Sequence, residues 1–191
     1  MRVYRGHLIH IGGAPRVAGA SDHLISHPDG ALVVDATGRI VFSGPFADAP
    51  SGELIDCRPG FLLPGFVDTH IHFPQTYCTN AHGGGQLLDW LQRCIFPAEA
   101  QLSDPGFAEQ LARDFCRRRI SVGTTTALVF GSAFPHAQDA LFAKSVRCGL
   151  RTVSGRGIQT VGPESAAALQ PERGAGSRCR RGPARWPGCR R

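Results

Sequence analysis

Lysine is almost absent from this chain. Lys144 is the only one, and arginine supplies the other basic side chains. Chemistry that needs a metal-bridging lysine therefore has one candidate. Lys144 falls inside a helical pattern, where it is a poor one. The seven cysteines include no C-x-x-C pair, and their number is odd. That argues against a disulfide framework or a cysteine zinc cluster and favours free thiols in a reducing cytosol. No apolar run approaches the length of a membrane span. "MRVYRGHLIHIGG" has no continuous apolar core of the kind a secretory signal carries. A cytoplasmic protein with no membrane partner is the expectation.

The net charge of +6 is not spread along the chain. Residues 1–170 hold 14 basic and 14 acidic side chains, whereas residues 171–191 hold seven arginines and one glutamate. The main body is neutral, which speaks against a nucleic-acid partner. The segment "PERGAGSRCRRGPARWPGCRR" has no Leu, Ile, Val, Phe, Tyr or Lys and cannot bury a core. The break at Gln170/Pro171 reads as a reading-frame change followed by a disordered basic tail. A native basic interaction arm is the alternative.

Three regions are expected. Residues 1–60 read as a small β-rich unit: "HLIHI" and "GALVVD" are strands, and "DATGRIVFSG" is two strands meeting at a glycine turn. Residues 61–170 alternate strand and helix. "GFLLPGFVDTHIH" has a buried-strand pattern. "GGGQLLDWLQRCIF" places Leu87, Leu88, Leu91 and Ile95 at helical spacing. "SDPGFAEQLARDFCRRR" is a clearer helix, with Ser103 or Asp104 to cap it and Phe107, Leu111 and Phe115 on one face. "ISVGTTTALVF" reads as a second buried strand. "HAQDALFAKSVRCG" is a helix ended by Gly149, and "LRTVSGRGIQT" is a third strand. This order implies an α/β class with parallel strands and right-handed crossovers.

The chemistry sits in "LLPGFVDTHIHFPQT". Residues two apart on a strand share a face, so Asp68, His70 and His72 are expected to project together. Two imidazoles at a strand end can ligate one metal ion. Asp68 can act one step back, by orienting a ring or a neighbouring backbone group. An H-x-H pair is common by chance. Here it follows an apolar strand at the head of a βα series and precedes the loop "FPQTYCTNAHGGG", which narrows the reading.

The run "PGFVDTHIHFPQ … LLDWL … FPAE … GTTTALVFG … DALF" resembles the amidohydrolase superfamily and, within it, the guanine deaminase family. The likeness covers most of residues 60–150 and is weaker on either side. It implies the N-terminal part of a (β/α)₈ TIM-like barrel, incomplete here, preceded by part of a small composite β-sandwich. It implies one zinc ion held by two strand-end histidines, two later histidines and an aspartate. His70 and His72 match the first pair, and Asp68 stands behind them. Gln75 matches the glutamine whose amide pairs with the purine, an apt role for a group with both donor and acceptor. Trp90 matches a pocket wall but is equally placed for core. The implied reaction converts guanine to xanthine and ammonia, in purine catabolism, using a water activated by zinc. The resemblance also leaves room for a homodimer of the full-length family member. The H-x-E and P-C-x-x-C signature of cytidine-deaminase-type sites is missing.

Of the remaining histidines, His7, His10, His23 and His27 lie in the β-rich leader. His82 lies in a glycine-rich loop and His136 just before a helix. None ends a later barrel strand. The other metal donors and the proton-shuttle glutamate are expected beyond residue 170, and the chain alone is expected to turn over poorly or not at all. The competing readings are an amidohydrolase for another purine or a pyrimidine, a non-catalytic fragment, and, last, a nucleic-acid binder working through its basic tail.

Overall fold

In the computed structural model, the described residues are 1–12, 23–78, 81, 85–159 and 164–169. His82 and the tail from residue 170 onward, with the expected break at Gln170/Pro171, lie outside them. The chain divides into two compact units, Met1–Pro64 and Gly65–Arg191.

The first unit is a four-stranded sheet. Strands β1 (Arg2–Ile11), β2 (Leu24–Val34), β3 (Ile40–Pro45) and β4 (Glu53–Leu62) are ordered β3-β2-β1-β4. β1–β2 and β2–β3 are antiparallel, while β1–β4 is parallel. The turn between β2 and β3 is built by Asp35. Its carboxylate accepts from the Thr37 and Arg39 backbone N–H groups and the Thr37 hydroxyl, and Gly38 takes the positive φ of 83°. Val3, Ala31 and Val33 form a small core with Phe42 and Phe46 against it. A two-pronged ion pair, Arg5 to Asp29 at 2.7 Å for both contacts, ties β1 to β2. β4 passes residue 60, so the stretch from Gly60 is not one buried strand. Its first residues finish β4, and a new strand begins at Phe66.

The second unit has a parallel sheet, β5 (Phe66–His72), β6 (Thr124–Phe130) and β7 (Arg151–Gly155), in the order β5-β6-β7. Between β5 and β6 the chain runs through α1 (Leu87–Trp90), a π-helical turn Leu91–Ile95, α2 (Phe96–Ala100) and the long α3 (Pro105–Ser121). Between β6 and β7 runs α4 (Pro135–Cys148). Asp104 caps α3 by accepting from the Phe107 N–H at 2.6 Å, with Pro105 in the first turn. Gly149 ends α4 in the left-handed region, at φ 78°.

Phe73, Leu102, Leu111, Phe115, Ala127, Val129 and Leu141 are the heart of the core between α3, α4 and one face of the sheet. Phe73 and Phe115 meet edge-on at 5.8 Å. The other face of the sheet is open, and Val67, Leu128, Phe130 and Val153 are exposed on it.

Several expectations shift. Ile120 and Ser121 finish α3 rather than start β6, because the helix continues until Gly123 can take a positive φ of 83°. Phe66 and Val67 are exposed, so β5 is not buried on both faces as its composition predicts. Leu87 and Leu88 are exposed too, and of that helical stripe only Ile95 is fully buried. His136 lies inside α4, where its Nε2 meets the Leu102 carbonyl at 2.7 Å, a structural bond between two helical segments. Glu164–Leu169 forms a 3₁₀ turn that sends Ala166 and Leu169 inside. No helix among the described residues is long and apolar enough to cross a membrane.

Candidate metal and base-binding site

The site forms where β5 runs out. Its strand does not alternate regularly. Asp68 pairs with Ala127 and Ile71 with Val129, so three steps on β5 face two on β6 and the extra residue bulges at Thr69–His70. The expectation that Asp68, His70 and His72 project together therefore fails for Asp68. Asp68 turns to the helix side, where its carboxylate lies 4.0 Å from Arg119 of α3. It also accepts from the His70 backbone N–H at 3.1 Å. Backbone in a bulge loses ladder partners, and this carboxylate replaces one of them.

The histidines stay together. Their ring centroids are 5.2 Å apart, and both rings rest on Phe130 of β6. His72 stacks on it nearly flat, at 4.6 Å and 9°, while His70 is tilted at 4.8 Å. Burial, and then the neighbouring His70, hold the His72 pKa below its ordinary value. A depressed pKa keeps the imidazole neutral, which is the form that ligates a metal. A cavity of about 110 Å³ lies behind His72, bounded by Ile71, Thr76, Phe115, Arg118 and Arg119.

Gln75 sits one turn further on, in a 3₁₀ turn Phe73–Gln75. Its Nε2 is 3.2 Å from His72 Nδ1 and donates to Glu99 Oε1 of α2 at 3.0 Å. Glu99 is half-buried, and burial pushes its carboxyl above the usual range, against the opposing pull of the Gln75 hydrogen bond. Trp90 is held elsewhere: its indole N–H donates to the Ala81 carbonyl at 2.9 Å. Lys144 is an α4 side chain paired with Glu109 at 2.8 Å. Two residues of the site escaped the sequence reading. Phe130 looked like one more apolar position of a strand. Glu99 was visible only as the last letter of "FPAE", with nothing to show that it reaches Gln75 across 24 positions.

Two imidazoles on one face suit zinc, which takes nitrogen donors in sets of three or four. The pair thus fits as part of a ligand set. Among the described residues, no group of three or more His, Cys, Asp or Glu side chains is placed to hold a metal ion.

The parallel βα unit with this histidine pair at a strand end defines a class, and the class has a match. Residues 61–178 match the Amidohydrolase family, and the chain belongs to it, a family of hydrolases. The relatives are specific. The chain is 42% identical over 180 residues to a probable guanine deaminase of Deinococcus radiodurans, covering 90% of this chain and 39% of that protein. It is 35% identical over 161 residues to a 5-methylthioadenosine/S-adenosylhomocysteine deaminase of Halobacterium salinarum, covering 81% of this chain and 35% of that one. Its fold superposes on the solved guanine deaminase of E. coli with a TM-score of 0.77 at 30% identity, over 87% of this chain and 40% of that one. The chain thus spans about two-fifths of the length of these relatives.

Proposed function

We propose that this chain carries the N-terminal part of a zinc-dependent guanine deaminase site. His70 and His72 would hold the metal, Gln75 would meet the purine edge, and Asp68 would stabilise the bulge that aims the pair. Zinc bound there would supply an activated water at neutral pH. The net reaction replaces the exocyclic amine on C2 of guanine with oxygen from water, releasing ammonia and giving xanthine.

The observation that carries this reading is the placement of an amide beside the histidine pair. Gln75 reaches His72 at 3.2 Å, so a heterocycle gripped by the amide would lie next to the metal position. Phe130 contributes by fixing both rings. The chain's own residues would position the base and the metal. The remaining donors and a proton-shuttling carboxylate would come from sequence outside the described residues. The Halobacterium relative supports a second reading, deamination of another purine, with the same histidines in the same role.

The test is xanthine formation from guanine with zinc added, run on the 191-residue chain, on a frame-corrected longer chain, and on each with His70→Ala and His72→Ala. The longer chain is expected to turn over and to lose activity in the double variant. The 191-residue chain is expected to be inactive or nearly so. Robust turnover by the short chain that vanishes in its double variant would overturn the view that its site is partial.

A further inference from the structure

Glu99 is a half-buried carboxyl with no ion pair among the described residues. Its neighbours are the Gln75 amide and the Cys78 thiol. That thiol is pushed up first by its own burial and then by Glu99. A carboxylate held this way costs stability unless a donor satisfies it. Gln75 is the donor that reaches it.

The geometry points to Glu99 as the positioning residue of Gln75. A free glutamine amide can present either end to a ligand, since its oxygen and nitrogen are nearly the same size and shape. Once ionised, Glu99 accepts hydrogen bonds and gives none, so only the NH₂ end can then face it. In the metal-free chain the two N–H groups serve two acceptors, Glu99 Oε1 at 3.0 Å and His72 Nδ1 at 3.2 Å, whereas a metal held by His72 would put that ring's proton on Nδ1 and leave Glu99 alone as the acceptor that orients the amide. Gln75 Oε1 receives no hydrogen bond from any described residue. The amide is thereby fixed with its oxygen outward, and the ligand edge that meets it must offer an N–H. The recognition group is then an acceptor chosen by Glu99, and a heterocycle with only lone pairs on that edge is rejected. This specificity rests on the proposed base-binding role of Gln75, whereas the orientation itself does not.

The orientation can be read without ligand or metal. In the ¹⁵N-labelled 191-residue chain, the Gln75 side-chain NH₂ pair is identified by its loss in Gln75→Leu. Its hydrogen exchange is then compared in wild type, Glu99→Gln and Glu99→Ala, with the backbone amides of β5, β6 and β7 as the control for fold. Exchange is expected to be slowest in wild type, several-fold faster in Glu99→Gln, which keeps a neutral acceptor, and about tenfold faster in Glu99→Ala. The control amides should not change. Equal exchange of the Gln75 pair in wild type and Glu99→Gln would overturn the assignment, and that comparison decides the matter even if Glu99→Ala fails to fold. Because guanine and zinc are absent, a failure here would leave the proposed reaction standing, and a failure of that reaction would leave this orientation standing.

Discussion

The two faces of the β5–β6–β7 sheet are built from the same three strands and differ in almost everything else. One face sends Ala127 and Val129 into α3 and α4, where small and large side chains close around Phe115 with no solvent left. The other face carries Val67 and Val153, each 63% exposed, together with the histidine pair and Phe130. A closed face needs nothing further. An open apolar face on a parallel sheet is unusual, because such sheets are covered on both sides in complete α/β proteins. The lesson is that the packed core and the candidate site occupy opposite sides of one sheet. Helix packing supports the strands from behind, and the candidate site residues share the face on which these strands remain exposed.

The sharpest way to break this contrast is to truncate one large residue on each face. Phe115→Ala, at a site 2% exposed, is expected to cost about 3–5 kcal/mol. Against ordinary domain stabilities that is enough to leave much of the second unit unfolded. Leu128→Ala on the open face, 47% exposed, should cost less than about 1 kcal/mol. Urea midpoints of the two variants measure both. Equal losses would mean that the open face is packed in solution.

The same contrast explains what could be read from the sequence. α3 was legible because its cap, its proline and its Leu111–Phe115 stripe are local signals that all agree. Gly149 and the β2–β3 turn were legible for the same reason. The pairing of His70 with His72 followed from spacing alone. Asp68 did not, because the bulge at Thr69–His70 depends on the register with β6, which no local pattern encodes. Leu87 and Leu88 stand at helical spacing yet are exposed, since periodicity reports an apolar stripe and cannot report whether anything covers it. Glu99 was hidden for a related reason. Its importance lies in a contact with Gln75 made across the first βα connection.

A second test sharpens the open face itself. Phe130 is the shared floor of both imidazoles. Phe130→Ala should leave the helix-side core intact while freeing the rings to turn independently. Zinc affinity of the chain, measured by calorimetry, is expected to fall about tenfold, the usual effect of removing a group that orients ligands. Its urea midpoint should move far less than that of Phe115→Ala. Unchanged affinity would show that β5 alone fixes the pair.

The smallest effect concerns Glu99 and depends on pH. Burial raises its folded-state pKa above the ordinary glutamate value of 4.5, against the pull of the Gln75 hydrogen bond. With the folded value raised, the folded chain holds the proton longer than the unfolded chain does. The group's stabilising contribution is therefore complete below the ordinary value and is lost as pH rises through the folded value. Glu99→Gln keeps an acceptor and cannot ionise, so it escapes that loss. The variant should match wild type near pH 4 and become the more stable chain by pH 7. The gain should be under about 1 kcal/mol, because solvent reaches part of the carboxyl and screens it. The lowered His72 pKa gives a stability slope of the opposite sign, but both chains carry that residue and the difference between them cancels its contribution. Parallel stability–pH curves for the two chains would mean that Glu99 is solvated like a surface carboxylate. A gain in stability at neutral pH, paired with faster exchange at Gln75, would instead show a residue kept for the orientation it imposes and at a cost to the fold.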